Sequence, residues 1–519
     1  MAFGKNIIVF IPFLLLLSCA QVGEISGGEK DDIAPKPIEG KTIPANESTH
    51  FKGKSVKITF DEYVQLNNPQ QTVLFVPNHA TPKTVLTKKT VQISWEETLE
   101  ENTTYVIYLN RTVKDLSENN DSLMYYVFST GETLDSLHYS VRAVDAWTNQ
   151  PVANATVGLF SHKDSLKPYY FANTDLSGLA TFSFLKTGNY FVRAFLDQNK
   201  DLRIQKSESL GFKTEEIKLV NSIADSVPIR VFKAKEERKI KNVRYSAPGS
   251  VLIGANFPIE NAAFFIQDKY IEKEFIQAIN SDSVQLFTQE KNVSEMQIRI
   301  NTPDRLDTVS LRVTQKEKIT KIKLKPLFNT MQIAPSDVIS FQCNDWISAV
   351  DSSKIEVKDP RDSTFFIPFK SHFSKNNLTI KIDRDTLKQV DITFKANAIT
   401  TVQNEKSDAI KTNLKFTVAK DYGAIILDLS NFKEPIILEL LQNSSIVRRV
   451  ILKQPISHVF NELGPNEYQF RIISDENENG VWDTGDFFND LQPEKVYWYS
   501  APTKVRANWD INLQISPVK

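Results

Sequence analysis

The sequence predicts an all-β chain of tandem β-sandwich domains with an internal duplication. Val, Ile, Thr, Tyr and Phe recur in short runs where apolar and polar residues alternate, as in strands with one buried face. Polar residues, Gly and Pro separate these runs and supply the turns. The order of runs in the N-terminal part recurs in the C-terminal part, and such long-period self-similarity is typical of duplicated units.

Residues 1–18 are predicted to be a lipoprotein signal peptide. Lys5 precedes an apolar run, residues 7–17, that is too short to span a bilayer. The run ends in Leu16-Leu17-Ser18-Cys19, which resembles a bacterial lipobox; the resemblance implies cleavage before Cys19 and lipidation of its thiol. The alternative is an ordinary signal peptide in which Cys19 falls at this position by chance.

Residues 19–40 are rich in Gly, Pro and charged residues without periodicity, and are predicted to be a flexible tether. Within them, Glu29-Lys30-Asp31-Asp32 resembles the acidic export signal that sends some Bacteroidetes lipoproteins to the cell surface. The alternative is a solvated cluster of linker charges. The resemblance implies a lipid-anchored outer-membrane protein at the cell surface, with the periplasmic face left open.

Composition limits the classes of function. The 519 residues suffice for about three to five domains, and the net charge of −1 provides no basic field for nucleic acid. Beyond the N-terminal run, no apolar segment is long enough for a transmembrane helix. Once Cys19 carries lipid, Cys343 is the one remaining cysteine, and its strand-like surroundings predict a buried, inert thiol.

Module 1 (residues 41–132) is predicted to be a two-sheet sandwich. Its five alternating runs are 55–60, 72–76, 90–95, 104–109 and 124–128. The sequence resembles the bacterial Ig-like domains often called SbsA-type, and the matching stretches are 43–46, 58–62, 102–105, 113–115 and 128–130. This resemblance implies a fold and no chemistry.

Module 2 (residues 136–235) resembles a transthyretin-like sandwich of the carboxypeptidase regulatory type. The residues that carry the likeness are 139–144, 149–159, 174–182 and 185–192. Such modules are generally scaffolds. Module 3 (residues 236–330) is rich in alternating runs, the last of them at 319–324, and is predicted to be a β-rich middle domain.

The last two modules are predicted to repeat the first two. Module 4 (residues 331–420) has runs in the order and spacing of module 1, at 338–341, 353–357, 378–382, 390–394 and 414–418. In module 5 (residues 421–519) the run 463–472 corresponds to 185–193 of module 2, and an Asx-rich loop follows in both. We interpret this as an Ig-like and transthyretin-like pair duplicated around module 3.

The Asx-rich loop of module 5 has the ligand spacing of a calcium loop. Oxygen ligands at positions 1, 3, 5, 7, 9 and 12, position 7 through its carbonyl, would be Asp475, Asn477, Asn479, Val481, Asp483 and Asp486. Gly480 at position 6 permits the sharp reversal, but Asp486 is shorter than the usual Glu and no helices flank the loop. The alternative is a hairpin loop held by side-chain-to-backbone hydrogen bonds.

The equivalent loop of module 2 is a weaker candidate. Its oxygen-bearing residues are Asp197, Asn199, Asp201 and Glu208. Leu202 replaces the glycine, and Lys200, Arg203 and Lys206 bring positive charge close to any ion, so this loop is predicted to be structural.

The C-terminal stretches 492–499 and 505–510 resemble the ending of a family of Bacteroidetes Ig-like lipoproteins. Several aromatic residues there are candidates for a patch that contacts glycan or protein: Trp482, Tyr497, Trp498, Tyr499 and Trp509. The alternation of Tyr497, Trp498 and Tyr499 favours instead one strand with two packed faces.

No enzyme template fits the chain. The six His are scattered singly, and HExxH, GxSxG, Walker and GxGxxG motifs are missing from the sequence. The sequence therefore predicts a non-catalytic lipoprotein that acts as an interaction or scaffold subunit of an outer-membrane β-barrel assembly or transport machine. The alternatives are a surface glycan-binding lipoprotein and a hydrolase whose site is assembled from distant carboxylates.

Overall fold

The computed structural model describes residues 31–517, apart from 234–235, 248, 289–293, 304, 314–320, 385–386 and 403. The predicted signal peptide and Cys19 lie outside these residues. The described part is nearly all β, as the alternating runs predicted, and its one α-helix is α1 (Pro69–Thr72). Within that part, no helix has the length and apolarity to cross a bilayer.

Module 1 is a sandwich of two antiparallel sheets. Its strands are β1 (Ser55–Thr59), β2 (Val64–Leu66), β3 (Val73–Val76), β4 (Lys83–Thr87), β5 (Thr90–Ser94), β6 (Thr104–Asp115) and β7 (Asp121–Ser129). One sheet has the order β1-β5-β4, and in the other β6 pairs with β2, β3 and β7. The rings of Trp95 and Tyr105 stack on Phe128 between the sheets, with centroid distances of 5.7 and 5.5 Å.

Module 2 folds around its long central strands. Its strands are β8 (Leu137–Asp145), β9 (Thr156–Phe160), β10 (Tyr170–Asn173), β11 (Leu179–Leu185), β12 (Gly188–Phe195), β13 (Ser209–Phe212), β14 (Ile217–Leu219), β15 (Ile223–Ala224) and β16 (Ile229–Lys233). The order is β10-β9-β12-β13-β16-β8-β11, and β16 runs parallel to β8. Leu74, Val76 and Tyr108 of module 1 pack against its core, so modules 1 and 2 share apolar surface.

Module 3 has two four-stranded sheets, β17-β18-β22-β21 and β20-β19-β23-β24. The strands are β17 (Ile240–Ala247), β18 (Ser250–Ala255), β19 (Ala263–Ile266), β20 (Lys269–Tyr270), β21 (Ile276–Asn280), β22 (Ser283–Phe287), β23 (Glu295–Thr302) and β24 (Arg305–Arg312). A strand was predicted over residues 319–324, but residues 321–323 do not form one; residues 319 and 320 are not described. Leu324 instead begins a strand that belongs to module 4.

Module 4 begins earlier than its predicted boundary, because its first strand, β25 (Leu324–Pro326), pairs with β26. The remaining strands are β26 (Ser340–Cys343), β27 (Ile347–Val350), β28 (Ile355–Asp359), β29 (Asp362–Phe366), β30 (Phe369–Ser374), β31 (Asn377–Ile382), β32 (Gln389–Phe394), β33 (Ile399–Thr401) and β34 (Ile410–Lys415). Trp346 stacks on Phe275 and Phe287 of module 3, at 6.1 and 5.2 Å between ring centroids.

Module 5 has two sheets, β38-β35-β41 and β37-β36-β39-β40. Its strands are β35 (Gly423–Asp428), β36 (Ile436–Gln442), β37 (Ser445–Leu452), β38 (Ser457–Leu463), β39 (Asn466–Ser474), β40 (Val496–Val505) and β41 (Asp510–Gln514). Its contact with module 4 includes a hydrogen bond from the backbone N–H of Ser336 to Glu462, at 3.2 Å.

Strand order repeats between the modules that the sequence paired. The order β1-β5-β4 of module 1 recurs as β26-β31-β30 in module 4. In module 5, β41 runs parallel to β35 as β16 does to β8 in module 2. The hydroxyls of Tyr190 and Tyr468 each donate to a carbonyl four residues earlier, at 3.0 Å. This shared topology supports the duplication.

Candidate functional site between modules 2 and 5

The Asx-rich loop of module 5 joins β39 to β40 and is organised by Asp475. The Asp475 side chain is fully buried, and its two oxygens accept from the backbone N–H groups of Asn479 and Gly480, at 2.9 and 3.0 Å. Gly480 has a φ of 74°, a left-handed conformation that glycine adopts without steric cost. The chain therefore reverses at the position that the sequence pattern indicated.

Hydrogen bonds link four of the predicted ligands in this loop: Asp475, Asn477, Asn479 and Asp483. The amides of Asn477 and Asn479 donate to Oδ2 of Asp483, at 2.7 and 2.5 Å. Oδ1 of Asn477 accepts from the N–H of Asn479 at 3.1 Å, which ties these residues to Asp475. The N–H of Val481 donates to Oδ1 of Asn479 at 2.8 Å.

Asp486, the last of the predicted ligands, caps a short helix in the structure. Its oxygens accept from the backbone N–H of Phe488 and the side-chain amide of Asn489, at 3.0 and 2.7 Å, so it caps the short 3-10 helix Phe487–Asn489. Glu494, which the sequence analysis missed, accepts from the N–H of Asp483 at 2.9 Å. Burial and the nearby Asp483 and Asp475 carboxylates raise the pKa of Glu494 to about 7, although the hydrogen bond from Asp483 opposes the shift.

The loop of module 2 repeats this arrangement without a glycine. The oxygens of Asp197 accept from the N–H groups of Asp201 and Leu202, at 3.2 and 2.9 Å. Glu208 accepts from the N–H of Gln205 at 3.1 Å, as Glu494 does from Asp483. Glu208 is thus the counterpart of Glu494. An alignment of the two loops that looks for a Glu able to accept from the N–H at position 9 would have identified Glu494.

Both loops are held by side-chain-to-backbone hydrogen bonds, the alternative stated for the module 5 loop. Among the described residues, no group of three or more His, Cys, Asp or Glu is arranged to hold a metal ion. Calcium also accepts asparagine oxygens as ligands, and this loop has two asparagines, Asn477 and Asn479. Calcium binding by the six predicted ligands therefore stays a prediction: Asp475, Asn477, Asn479, Val481, Asp483 and Asp486.

Modules 2 and 5 pack directly against each other, although they are far apart in sequence. We call the contact around Trp147, Trp482, Trp498 and Arg471 the clasp. The Arg471 guanidinium lies 4.3 Å from the ring centroid of Trp147 and 4.9 Å from that of Trp498. The indole N–H of Trp498 donates to the carbonyl of Trp147 at 2.8 Å, and the Trp147 and Trp482 centroids are 5.0 Å apart.

A second part of this interface surrounds Arg193 of module 2. Its guanidinium lies 4.5 Å from the ring centroid of Phe160 and 4.8 Å from that of Phe487, which belongs to module 5. A Cβ at Gly485 would lie 2.6 Å from the ring of Phe232, so the glycine allows the two modules to approach closely. Lys163 and Asp490 form an ion pair across the interface at 2.8 Å.

The two halves of the interface are related by the duplication. Arg193 on β12 and Arg471 on β39 each lie three residues after the equivalent tyrosines, Tyr190 and Tyr468. Each arginine contacts one aromatic ring of its own module and one of the other module. Equivalent sheet faces therefore meet, and each arginine provides a cation–π contact across the boundary.

The aromatic residues predicted as a surface patch are separated by the fold. Trp482 and Trp498 belong to the clasp, and Tyr497 is buried in the core of module 5. Trp509 is 57% exposed, on the turn before β41. The sequence pattern correctly favoured a strand with two packed faces, and one of those faces packs against module 2.

The comparisons with known proteins concern the fold. Residues 31–130 match a bacterial Ig-like domain family. That match covers most of module 1 and agrees with the resemblance seen in its sequence. The chain thus contains a bacterial Ig-like domain and is built of tandem β-sandwiches. No curated protein matches the chain.

Several solved structures are similar to parts of the chain. Domains A168–A170 of titin are 13% identical over 53% of this chain and 98% of that one, with a TM-score of 0.14. The SGBP-B protein of the Bacteroides ovatus mixed-linkage glucan utilization locus, in complex with a mixed-linkage heptasaccharide, is 8% identical over 64% and 88%, with a TM-score of 0.20. The S-layer protein rSbsC(31-844) is 12% identical over 82% and 64%, with a TM-score of 0.16.

Proposed function

We propose that this chain is a non-catalytic lipoprotein, anchored through Cys19 in the outer membrane and facing the cell surface. Its role in the proposal is that of an interaction or scaffold subunit of an outer-membrane β-barrel assembly or transport machine. The observation that carries the proposal is the clasp, which joins residues 351 positions apart in the sequence. The lipobox at Leu16 to Cys19 supports the anchor.

The clasp matters because it fixes modules that linkers alone would leave mobile. Arg471 is 8% exposed and donates to Glu439 at 2.6 Å while it contacts two tryptophan rings. Such a contact holds the surfaces of modules 2 and 5 at one separation. The chain then loses less conformational freedom when a partner binds both modules, which favours a scaffold role.

The proposal is tested by affinity purification of the tagged, lipidated chain from detergent-solubilised membranes. We expect a membrane β-barrel protein to be recovered, and the Cys19→Ala variant to lose most of it because it lacks the anchor. Trp498→Ala opens the clasp and should reduce recovery at equal expression. Purification of the wild type without any membrane protein would contradict the proposal.

Glycan binding is a second candidate, favoured by a cavity between modules 1 and 2. The cavity has a volume of about 520 Å³, and its lining includes the amide side chains of Gln71, Asn110, Asn154 and Asn173. Amide side chains in a cavity are groups that hydrogen-bond with sugars, and the Phe171 ring in the lining is itself buried in the core of module 2. The observation first considered, a C-terminal aromatic patch, no longer supports it because Trp498 lies in the clasp.

A glycan array separates this candidate from the scaffold role. Binding that is lost in Asn110→Ala and kept in Trp509→Ala would support a sugar site in the cavity. An array on which the wild-type chain gives no signal would exclude glycan binding. The hydrolase with distant carboxylates stays a prediction.

A further inference from the structure

Arg193 is a buried cation that, among the residues the structure describes, forms no direct ion pair with a carboxylate. Its side chain is 3% exposed, and the guanidinium donates to the backbone carbonyls of Lys163 and Ser165. In the part of the chain that the structure describes, no carboxylate lies within 4.0 Å of it. Buried charges are normally paired in direct contact, whereas the carboxylates of Asp164 and Asp490, which also line the cavity beside Arg193, act on its charge from beyond that distance.

The duplicated module shows which group Arg193 lacks. On the equivalent strand of module 5, Arg471 lies opposite Glu439 in the sheet and donates to its carboxylate at 2.5 and 2.6 Å. Arg193 lies opposite Gly158. A Cβ at Gly158 would lie 2.6 Å from the Phe160 ring, so module 2 has an aromatic ring close to the position where module 5 carries its carboxylate.

The Arg193 side chain lines a cavity between modules 2 and 5. The cavity has a volume of about 410 Å³, within the range of sites for small molecules. Four phenylalanines form much of its lining: Phe191, Phe212, Phe487 and Phe488. The lysines in the lining are already paired, Lys163 with Asp490 and Lys213 with Asp225, each at 2.8 Å.

We propose that this cavity binds a small amphipathic anion. A carboxylate, phosphate or sulfonate group would accept hydrogen bonds from Arg193 and supply the negative charge that Glu439 supplies to Arg471. An aromatic or short alkyl body would pack among the phenylalanines. The guanidinium suits this role because its planar donors match such anions and it is weakly hydrated. The inference does not depend on the proposed scaffold function.

The test is isothermal titration calorimetry of the full chain with phenyl phosphate, and with benzyl alcohol as the neutral analogue. We expect phenyl phosphate to bind at least tenfold more tightly than benzyl alcohol, because only the anion pairs with Arg193. Parallel titrations with benzoate and benzenesulfonate identify the preferred head group. The absence of binding by all three anions at millimolar concentration would overturn the proposal.

Variants locate the site. Arg193→Gln should weaken phenyl phosphate binding at least tenfold, whereas Arg142→Gln, which changes an exposed arginine of the same module, should leave it unchanged. Thr214→Trp places a bulky side chain at an exposed position in the cavity lining and should weaken binding without altering Arg193. It therefore keeps the test decisive if Arg193→Gln fails to fold. Wild-type affinity in a folded Arg193→Gln or in Thr214→Trp would overturn the proposal.

Discussion

Asp475 organises the loop after β39 because a buried carboxylate needs hydrogen-bond donors and the reversing backbone supplies them. Its oxygens accept from the N–H groups of Asn479 and Gly480. Hydrogen bonds to a charged group contribute about 1.5–3 kcal/mol each. The same carboxylate, with Asn477, Asn479 and Asp483, belongs to the predicted calcium site.

The calcium prediction is tested by thermal unfolding in millimolar calcium and in chelator. If the loop binds calcium, the melting temperature rises with calcium, because an ion that binds only the folded state stabilises it. Asp483→Asn should remove most of this shift, whereas Asp201→Asn in the loop of module 2 should leave it intact. A melting temperature that is the same in calcium and chelator would exclude the site.

Cys343 is expected to be unreactive in the folded chain. The thiol is 1% exposed, and burial raises its pKa to about 11. At pH 8 it is therefore both protonated and inaccessible, so a Cys19→Ser variant should react with a disulfide reagent only after denaturant is added. Stoichiometric labelling of the native chain within minutes would show that this description of Cys343 is wrong.

The raised pKa of Cys343 also predicts how the stability of the fold changes with pH. Its unperturbed value is 9.0, so between pH 9 and pH 11 the unfolded chain loses a proton that the folded chain keeps. The free energy of unfolding should therefore fall across this window and be unaffected by this group below it. Denaturant unfolding of Cys343→Ala, compared with the parent across this range, should show a weaker fall.

At the scale of single residues, the sequence indicated which side chains lie in the loop better than it indicated their hydrogen-bond partners. Asp475, Asn477, Asn479 and Asp483 were found because a loop with regular spacing brings near neighbours together. Glu494 was missed because a 3-10 helix lies between it and the spaced positions and returns the chain to the loop. Asp486 has the expected spacing, yet it caps that helix.

At the scale of elements, the pairing of β36 with β39 places Glu439 beside Arg471. Glu439 is 3% exposed, and its other oxygen lies 3.3 Å from Nε of Arg449. Removing one partner of a buried pair costs about 3–5 kcal/mol because an uncompensated charge remains. Since Arg449 remains nearby, we expect Arg471→Ala to lose about 3 kcal/mol, the lower end of that range.

A double-mutant cycle measured by urea unfolding checks this expectation. Glu439→Gly combined with Arg471→Ala should cost less than the sum of the two single changes, since no fully buried charge is left unpaired and Arg449, which is 42% exposed, can be solvated. Module 2 already has glycine at the equivalent position, Gly158. Costs that simply add would show that Glu439 and Arg471 do not stabilise each other.

Strands with a buried face, such as β5 and β32, were easier to predict than the exposed strand β4. β5 and β32 alternate buried and half-buried residues, and the alternation of their sequences indicated both. β4 has no buried residue, so packing imposes no apolar pattern on it, and it was missed. The parallel pairing of β16 with β8 joins distant segments, and alternation within one strand says nothing about its partner.

For the whole molecule, the feature the sequence did not predict is the contact between modules 2 and 5. Trp498 was correctly assigned to a strand with two packed faces. Alternation shows that a face is packed, but it does not show whether that face packs within its own module or against another one. The clasp unites rings from separate segments, Trp147 with Trp482 and Trp498. Because the linked modules are distant in sequence, the clasp closes the chain into a loop of modules.

Opening the clasp should therefore change the dimensions of the molecule without unfolding its modules. Trp498→Ala removes a ring stacked on Arg471 and the hydrogen bond to the Trp147 carbonyl, and Trp147→Ala removes the opposite ring. Truncating a fully buried aromatic residue costs about 3–5 kcal/mol. Trp147 and Trp498 are half-buried, so we expect each change to cost less than this and to weaken the contact between modules 2 and 5. In small-angle X-ray scattering, both variants should show a larger radius of gyration than the wild type, with circular dichroism unchanged.

Trp509→Ala, which removes an exposed indole of module 5, is the matched control and should scatter like the wild type. If Trp147→Ala and Trp498→Ala also scatter like the wild type, the remaining contacts, such as that of Arg193 with Phe487, hold the modules together without the tryptophans.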